Sequence, residues 1–176
     1  MYTDWLLKMK ENEAQTTLEE RVVELLAEHK MTVTTAESCT GGLIAATLVN
    51  VPGASDVLNE GYITYSNEAK IRLVNVSPET LERYGAVSSQ TAKEMANGAA
   101  KAAKAEAALS ATGIAGPGGG TEEKPVGLVY IGCSVNGKTT AKRCVFDGNR
   151  MENRQHTVET ALECLWKHWK IWKNRK

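Results

Sequence analysis

Apolar positions recur at helical spacing in some stretches of the chain and cluster as β-branched runs in others, and the order of the two predicts the elements. Leu18, Val22, Leu25 and Leu26 share one face of a helix reaching about Lys30. Ahead of it, Thr16 with Glu19 or Thr17 with Glu20 has the spacing of a capping box. Thr32 to Ala36 is rich in β-branched residues and reads as a strand. After a polar, glycine-containing break, Leu43-Ile44-Ala45-Ala46-Thr47-Leu48 reads as a helix that Val51-Pro52-Gly53-Ala54-Ser55 stops. Gly61-Tyr62-Ile63-Thr64-Tyr65 predicts a second strand, running into a short helix that Ser66 or Asn67 can cap. Ser77-Pro78-Glu79-Thr80 opens another helix, with Gly85 as its terminator. Ser88 or Ser89 caps an alanine-rich helix to about Lys104, whose small residues predict close packing on a sheet. Ala107 to Thr112 is a third strand, and Val126–Val135 with Lys138–Phe146 form a hairpin around the type I′ signal Asn136-Gly137. From about Met151 a last helix carries Val158, Leu162, Leu165, Trp169 and Trp172 on one stripe.

The resulting order, α-β-α-β-α-α-β-β-β-α, predicts an α/β fold, a three-layer α/β/α sandwich on a mixed, mostly parallel sheet in which the hairpin supplies an antiparallel strand. With 176 residues the chain has room for one sizeable core, assigned to residues 16–172 as a single domain. Residues 1–15, polar apart from Trp5, Leu6 and Leu7, are expected to form an N-terminal arm. No internal repeat or linker interrupts the rest.

Charge and cysteine content remove several function classes. The 21 basic and 21 acidic residues balance, which leaves no electrostatic footprint for nucleic acid or an anionic membrane. No apolar run approaches membrane-spanning length, and the expectation is a cytoplasmic protein acting on a small molecule. The four cysteines, at positions 39, 133, 144 and 164, contain no C-x-x-C pair and no histidine completes a zinc site, so reduced thiols and no metal are expected. His29, His156 and His168 stand at no useful mutual spacing and read as exposed or interfacial.

Candidate chemistry concentrates at two loops. Where the first strand gives way to a helix, Glu37-Ser38-Cys39-Thr40-Gly41-Gly42 brings hydroxyls, a thiol and free backbone N–H groups to one point, with glycines that let a ligand approach the backbone. The third strand ends in a second such loop, with five glycines among the eight residues 113–120. Taken alone, Ser38 is either a nucleophile or the cap of the next helix. Cys39 is the better intrinsic nucleophile or a small packed residue. A P-loop is excluded, because Gly120 is followed by Thr121-Glu122 rather than Lys-Ser or Lys-Thr.

Six motifs in order carry a resemblance. Glu37-Ser38-Cys39-Thr40-Gly41-Gly42, Gly61-x-x-x-Tyr65-Ser66-Asn67-x-x-Lys70, Gly85-Ala86-Val87-Ser88, Thr112-Gly113-Ile114-Ala115-Gly116-Pro117-x-Gly119-Gly120, Lys124-Pro125-Val126-Gly127 and Gly148-x-Arg150 are together similar to the CinA C-terminal domain family. The best-known activity of that family is nicotinamide-nucleotide amidohydrolase. The resemblance covers roughly residues 18–170 and implies hydrolysis of the carboxamide of nicotinamide mononucleotide (NMN) to nicotinic acid mononucleotide and ammonia. It casts Ser38 as nucleophile, Lys70 as its base and Tyr65 as an assisting group, without metal or organic cofactor. Amide hydrolysis needs oxyanion donors as well, and backbone N–H groups from Cys39 to Gly42 are the candidates. Glu37 reads as an orienter of the lysine or a partner for an arginine. Thr112 and the loop through Gly113, Gly116, Gly119 and Gly120 are expected to line the substrate site, with Arg150 or Arg154 on the phosphate. Full-length CinA proteins carry a preceding molybdopterin-binding-like domain, so a stand-alone form is expected here.

Rival readings keep the same loops. A nucleotide-binding regulatory domain would need the glycines but not a serine–lysine pair, and an amidase for another substrate would use the same dyad. The tryptophans at 166, 169 and 172 read as core or subunit contact, which with the arm makes a homo-oligomer the expectation. One position departs from the family pattern: Asn149 stands where Gly-Asp-Arg is usual, which bears on substrate preference if that carboxylate orients the arginine or the nucleotide.

Overall fold

The computed structural model of the chain describes residues 16–173, so the arm expected over residues 1–15 and the side chain of Trp172 lie outside the described residues. The elements are α1 (Leu18–Glu28), β1 (Val33–Glu37), α2 (Leu43–Val49), a 3₁₀ turn (Ala54–Asp56), β2 (Tyr62–Ile63), α3 (Asn67–Val74), α4 (Pro78–Tyr84), α5 (Ser89–Ala103), β3 (Ala107–Gly113), β4 (Leu128–Val135), β5 (Lys138–Val145) and α6 (Arg150–Lys173). Local chemistry explains most of the boundaries. Thr17 and Glu20 form the reciprocal capping box of α1. Ser66 and Ser88 accept backbone N–H bonds at the starts of α3 and α5. Asn136 and Gly137 both take the positive φ that a type I′ turn requires.

The five strands form one sheet in the order β2-β1-β3-β4-β5. β1 pairs in parallel with both β2 and β3, while β4 is antiparallel to β3 and to β5. Only β4 therefore runs against the other four. Strand pleating divides the core between the two sheet faces. Leu109, Ala111, Val129, Ile131 and Cys133 meet Val22, Leu26, Ile44, Leu48, Val158, Leu162, Leu165 and Trp169 on one side. Ala36 and Ala108 meet Val74, Leu81, Met95 and Ala99 on the other. The expected sandwich is thus present, and Trp169 belongs to its core.

Small residues on the α5 side let that helix lie close to the sheet. A Cβ at Gly132 would stand 2.3 Å from the Ala92 carbonyl oxygen, which Ser110 Oγ reaches at 2.6 Å. The second strand is shorter than the expected 61–65. Thr64 still donates to Glu37 O at 2.8 Å, but the carbonyls of Thr64 and Tyr65 then turn toward a lysine instead of a strand. β1, β2 and β3 point the same way and end side by side. Such a row of strand ends, with crossovers leaving on both sides, is where open α/β sheets bind ligands.

Candidate active site

The loop after β1 is held from inside the fold by Glu37. Gly42, the residue before α2, has no side chain with which to cap it. The fully buried Glu37 carboxylate takes that role, accepting from Gly42 N at 3.1 Å, Ile44 N at 3.0 Å and Ala45 N at 2.9 Å. Glu37 therefore neither orients the lysine nor pairs an arginine, as the sequence led us to expect. It neutralises the positive end of α2 and fixes how the chain leaves β1. Ser38 follows directly, half-buried, with its N–H on Ala111 O of β3 at 2.9 Å.

Lys70 is 1% exposed although it carries an amine. Its Nζ stands 3.2 Å from Ser38 Oγ, 2.9 Å from Thr64 O and 3.4 Å from Tyr65 O. Among the described residues no carboxylate lies within ion-pair distance of it. Burial pushes its pKa below the ordinary lysine range, against weaker opposing effects from Cys39 and Glu68. A neutral amine suits this cage well: two N–H bonds go to the two carbonyls, and the lone pair faces the serine hydroxyl. Cys39 is a poor rival for the nucleophile, since burial raises its thiol pKa to about 11.

Ser38 and Lys70 face a cleft of about 230 Å³, lined also by Cys39, Tyr65, Asn67, Ala86, Val87, Thr112, Gly113, Ala115 and Arg150. Thr112 donates to Ala86 O at 2.7 Å, which ties the end of β3 to the loop before α5. Tyr65 is 62% exposed at the rim, and its hydroxyl accepts from Arg150 Nη2 at 3.3 Å, away from the lysine amine. Arg150 Nη1 donates to Gly116 O at 2.7 Å, so the guanidinium spans the mouth between the tyrosine and the glycine-rich loop.

The remaining expected site residues lie outside the cleft lining. Gly119 and Gly120 shape the far part of their loop, where a Cβ at Gly120 would come within 2.6 Å of Val126 N. Gly116 contributes through its carbonyl alone. The Thr40 side chain is buried, while its carbonyl, with that of Cys39, accepts from Arg154 at 2.8 and 3.1 Å. Gly41 and Gly42 take positive φ values of 60° and 99°, which shape the turn into α2. Gly41 N donates to Ser38 O and Gly42 N to Glu37, and of the two residues between Ser38 and Gly41 only Cys39 lines the cleft, Thr40 being fully buried.

Asn149 accepts from Met151 N at 2.9 Å and Glu152 N at 3.1 Å, and so caps α6. An aspartate would make the same bonds. Sequence reasoning missed Asn67, Ala86, Val87 and Ala115 as lining residues, although all four lie inside the quoted motifs. It also missed Asn153, which is buried and joins Ala115 O to Gly148 N. Its one local signal is a place on the same helical turn as Arg150.

This fold and site define an α/β protein with a buried lysine against a serine at the strand ends. A family model of the CinA C-terminal domain matches residues 15–169, and the chain belongs to that family. A competence-damage inducible protein of Clostridium perfringens is 55% identical over 153 residues, covering 87% of this chain and 37% of that protein. One of Alkaliphilus metalliredigens is 56% identical with the same coverage. The chain thus spans little more than a third of the length of these curated relatives. Among solved structures, competence damage-inducible protein A from Klebsiella pneumoniae superposes with a TM-score of 0.85 at 35% identity, covering 88% of this chain and 96% of that one. CihA from Agrobacterium tumefaciens gives 0.81 at 46% identity, covering 84% and 90%.

Proposed function

We propose that this chain hydrolyses the carboxamide of nicotinamide mononucleotide, with Ser38 as nucleophile and Lys70 as base. The observation that carries the reading is the Lys70 amine, buried with no counter-ion among the described residues and 3.2 Å from Ser38 Oγ. Burying a lysine is costly unless its neutral form is wanted, and a surface-binding role would not need it. The reaction then runs in two halves. Ser38 Oγ attacks the carboxamide carbon while its proton passes to Lys70 Nζ. The protonated lysine returns that proton to the departing nitrogen, ammonia leaves, and an ester to Ser38 remains. A water molecule, deprotonated by the same amine, attacks the ester, and the amine passes that proton to Ser38 Oγ as the acyl bond breaks, which releases the acid and restores the dyad. The cleft is smaller than the ~300 Å³ at which small-molecule sites usually begin. The amide end of a nucleotide would enter and its phosphate would stay at the mouth, where Arg150 stands.

Ammonia release from nicotinamide mononucleotide by the purified protein tests this, run beside Ser38→Ala and Lys70→Ala. Turnover that both folded variants lose is the expected result. Binding without ammonia release would instead make the chain a nucleotide-binding relative. Release from another carboxamide but not from this one would keep the dyad and change the substrate.

A further inference from the structure

Asn67 opens α3, a helix whose buried positions are Lys70 and Val74. Residues three apart share a helical face, so Asn67 stands on the Lys70 side of α3. Both residues line the cleft. They differ in depth, since Lys70 is buried and Asn67 is exposed to solvent.

The neighbouring polar side chains are already engaged. Ser38 and Lys70 face one another, Thr112 donates to Ala86 O, and Tyr65 and Arg150 are joined at the mouth. Among the described residues the Asn67 amide makes no hydrogen bond. It is not needed to start the helix either, because Ser66 is the cap of α3. An amide presents a donor and an acceptor side by side, which suits a ligand group that offers both, such as a pair of adjacent hydroxyls.

Depth decides which part of the substrate that group belongs to. The carboxamide carbon has to reach Ser38 Oγ at the inner end, and the phosphate stays at the mouth with Arg150. Arg154 does not compete for it, being turned onto the carbonyls of Cys39 and Thr40. Asn67 lies three residues from Lys70, a rise of about 4.5 Å along the helix toward its start. In nicotinamide mononucleotide the carboxamide and the sugar occupy meta positions of one ring, which puts the ribose a comparable distance from the scissile carbon.

We propose that Asn67 binds the ribose hydroxyls of the substrate and so selects a nucleotide over the free base. This rests on Ser38 and Lys70 hydrolysing a nucleotide carboxamide.

The test uses the full chain, wild type and Asn67→Ala, on nicotinamide mononucleotide and on an analogue whose ribose lacks both ring hydroxyls. The readouts are kcat, KM and the rate at which phenylmethanesulfonyl fluoride, which has no sugar, labels Ser38. The variant should fold, since an exposed helical residue without side-chain bonds is being replaced by the best helix former. Asn67→Ala is expected to raise KM for the nucleotide about 10-fold, the scale of two neutral hydrogen bonds, with kcat little changed. Wild type should show a similar rise on the analogue, and Asn67→Ala should add nothing to it, because both changes remove one interaction. Labelling of Ser38 should keep the wild-type rate.

An unchanged KM for the nucleotide in Asn67→Ala would overturn the inference. So would an equal loss on both substrates, which would place Asn67 away from the sugar, or slowed labelling, which would mean that the change acts on the dyad through α3. Failure of the hydrolase reading looks different: wild type would bind the nucleotide without releasing ammonia. The same comparison made on Kd then decides the assignment, with weakening confined to the nucleotide supporting it and equal Kd values overturning it. A wild type that does not bind the nucleotide overturns both.

Discussion

Replacing Gly98 by alanine is expected to lower stability and turnover together, although Gly98 does not line the catalytic cleft. On helix propensity alone the change should stabilise α5 by about 1 kcal/mol. The packing says otherwise. A Cβ at this position would stand 1.7 Å from Val74 O and 2.8 Å from Val74 C, both backbone atoms of α3. Real Cβ contacts do not fall below 3.0 Å, so α3 and α5 must part by at least 3.0 − 1.7 = 1.3 Å. Overpacking of this kind costs about 1–3 kcal/mol, and backbone against backbone belongs at the upper end. The net loss is then about 1–2 kcal/mol, or ~2–8 °C in Tm for a chain of this size. Lys70 lies one turn before Val74 on the same helix. If the whole displacement reached it, the 3.2 Å between Nζ and Ser38 Oγ would open to about 4.5 Å, outside hydrogen-bond range. A misplacement near 1 Å can cost about 100-fold in rate. Thermal melts by circular dichroism and turnover of nicotinamide mononucleotide measure the two effects. A variant that melts at or above the wild-type temperature would refute the packing argument, and one that melts lower with full turnover would refute its extension to Lys70.

Three further expectations follow from the same geometry. Lys70 works as a base only when neutral, so kcat/KM should rise with pH through a single ionisation lying below the ordinary lysine range of ~10.4. Because the folded pKa is the lower one, the unfolded chain holds a proton that the folded chain lacks between the two values. The contribution of this group to stability therefore rises with pH across that window, and urea titrations of Lys70→Met should lose the rise. Glu37→Gln puts an NH₂ against one of the three N–H donors that Glu37 accepts and removes the charge at the start of α2, for an expected loss of about 2–4 kcal/mol. An unchanged urea midpoint would contradict it. Cys39→Ala should keep most of the activity, and iodoacetamide at pH 8 should modify Cys39 only slowly, because a thiol with a pKa of about 11 is almost wholly protonated there. Rapid alkylation with loss of turnover would reopen the thiol as nucleophile.

What the sequence by itself determined is what the chain encodes within a few residues. Thr17 and Glu20 cap α1 because they are three residues apart, and Asn136-Gly137 turns the hairpin because both positions accept positive φ. The two loops after β1 and β3 could be located for the same reason, and the ordered motifs fixed the family. Tertiary structure decided what each site residue does, because the cleft joins residues 38, 65–70, 86–87, 112–115 and 150 across three loops and two helix ends. Nothing local distinguishes a lysine on the solvent face of α3 from one turned into the sheet, and only the second loses its water. Arg150 and Arg154 look alike in sequence, being one helical turn apart. Packing of α6 sends the first to the cleft mouth and the second to the carbonyls of Cys39 and Thr40. Glu37 could not be read as a cap because it stands five residues before the N–H of Gly42, a distance the chain closes only by folding back around Ser38.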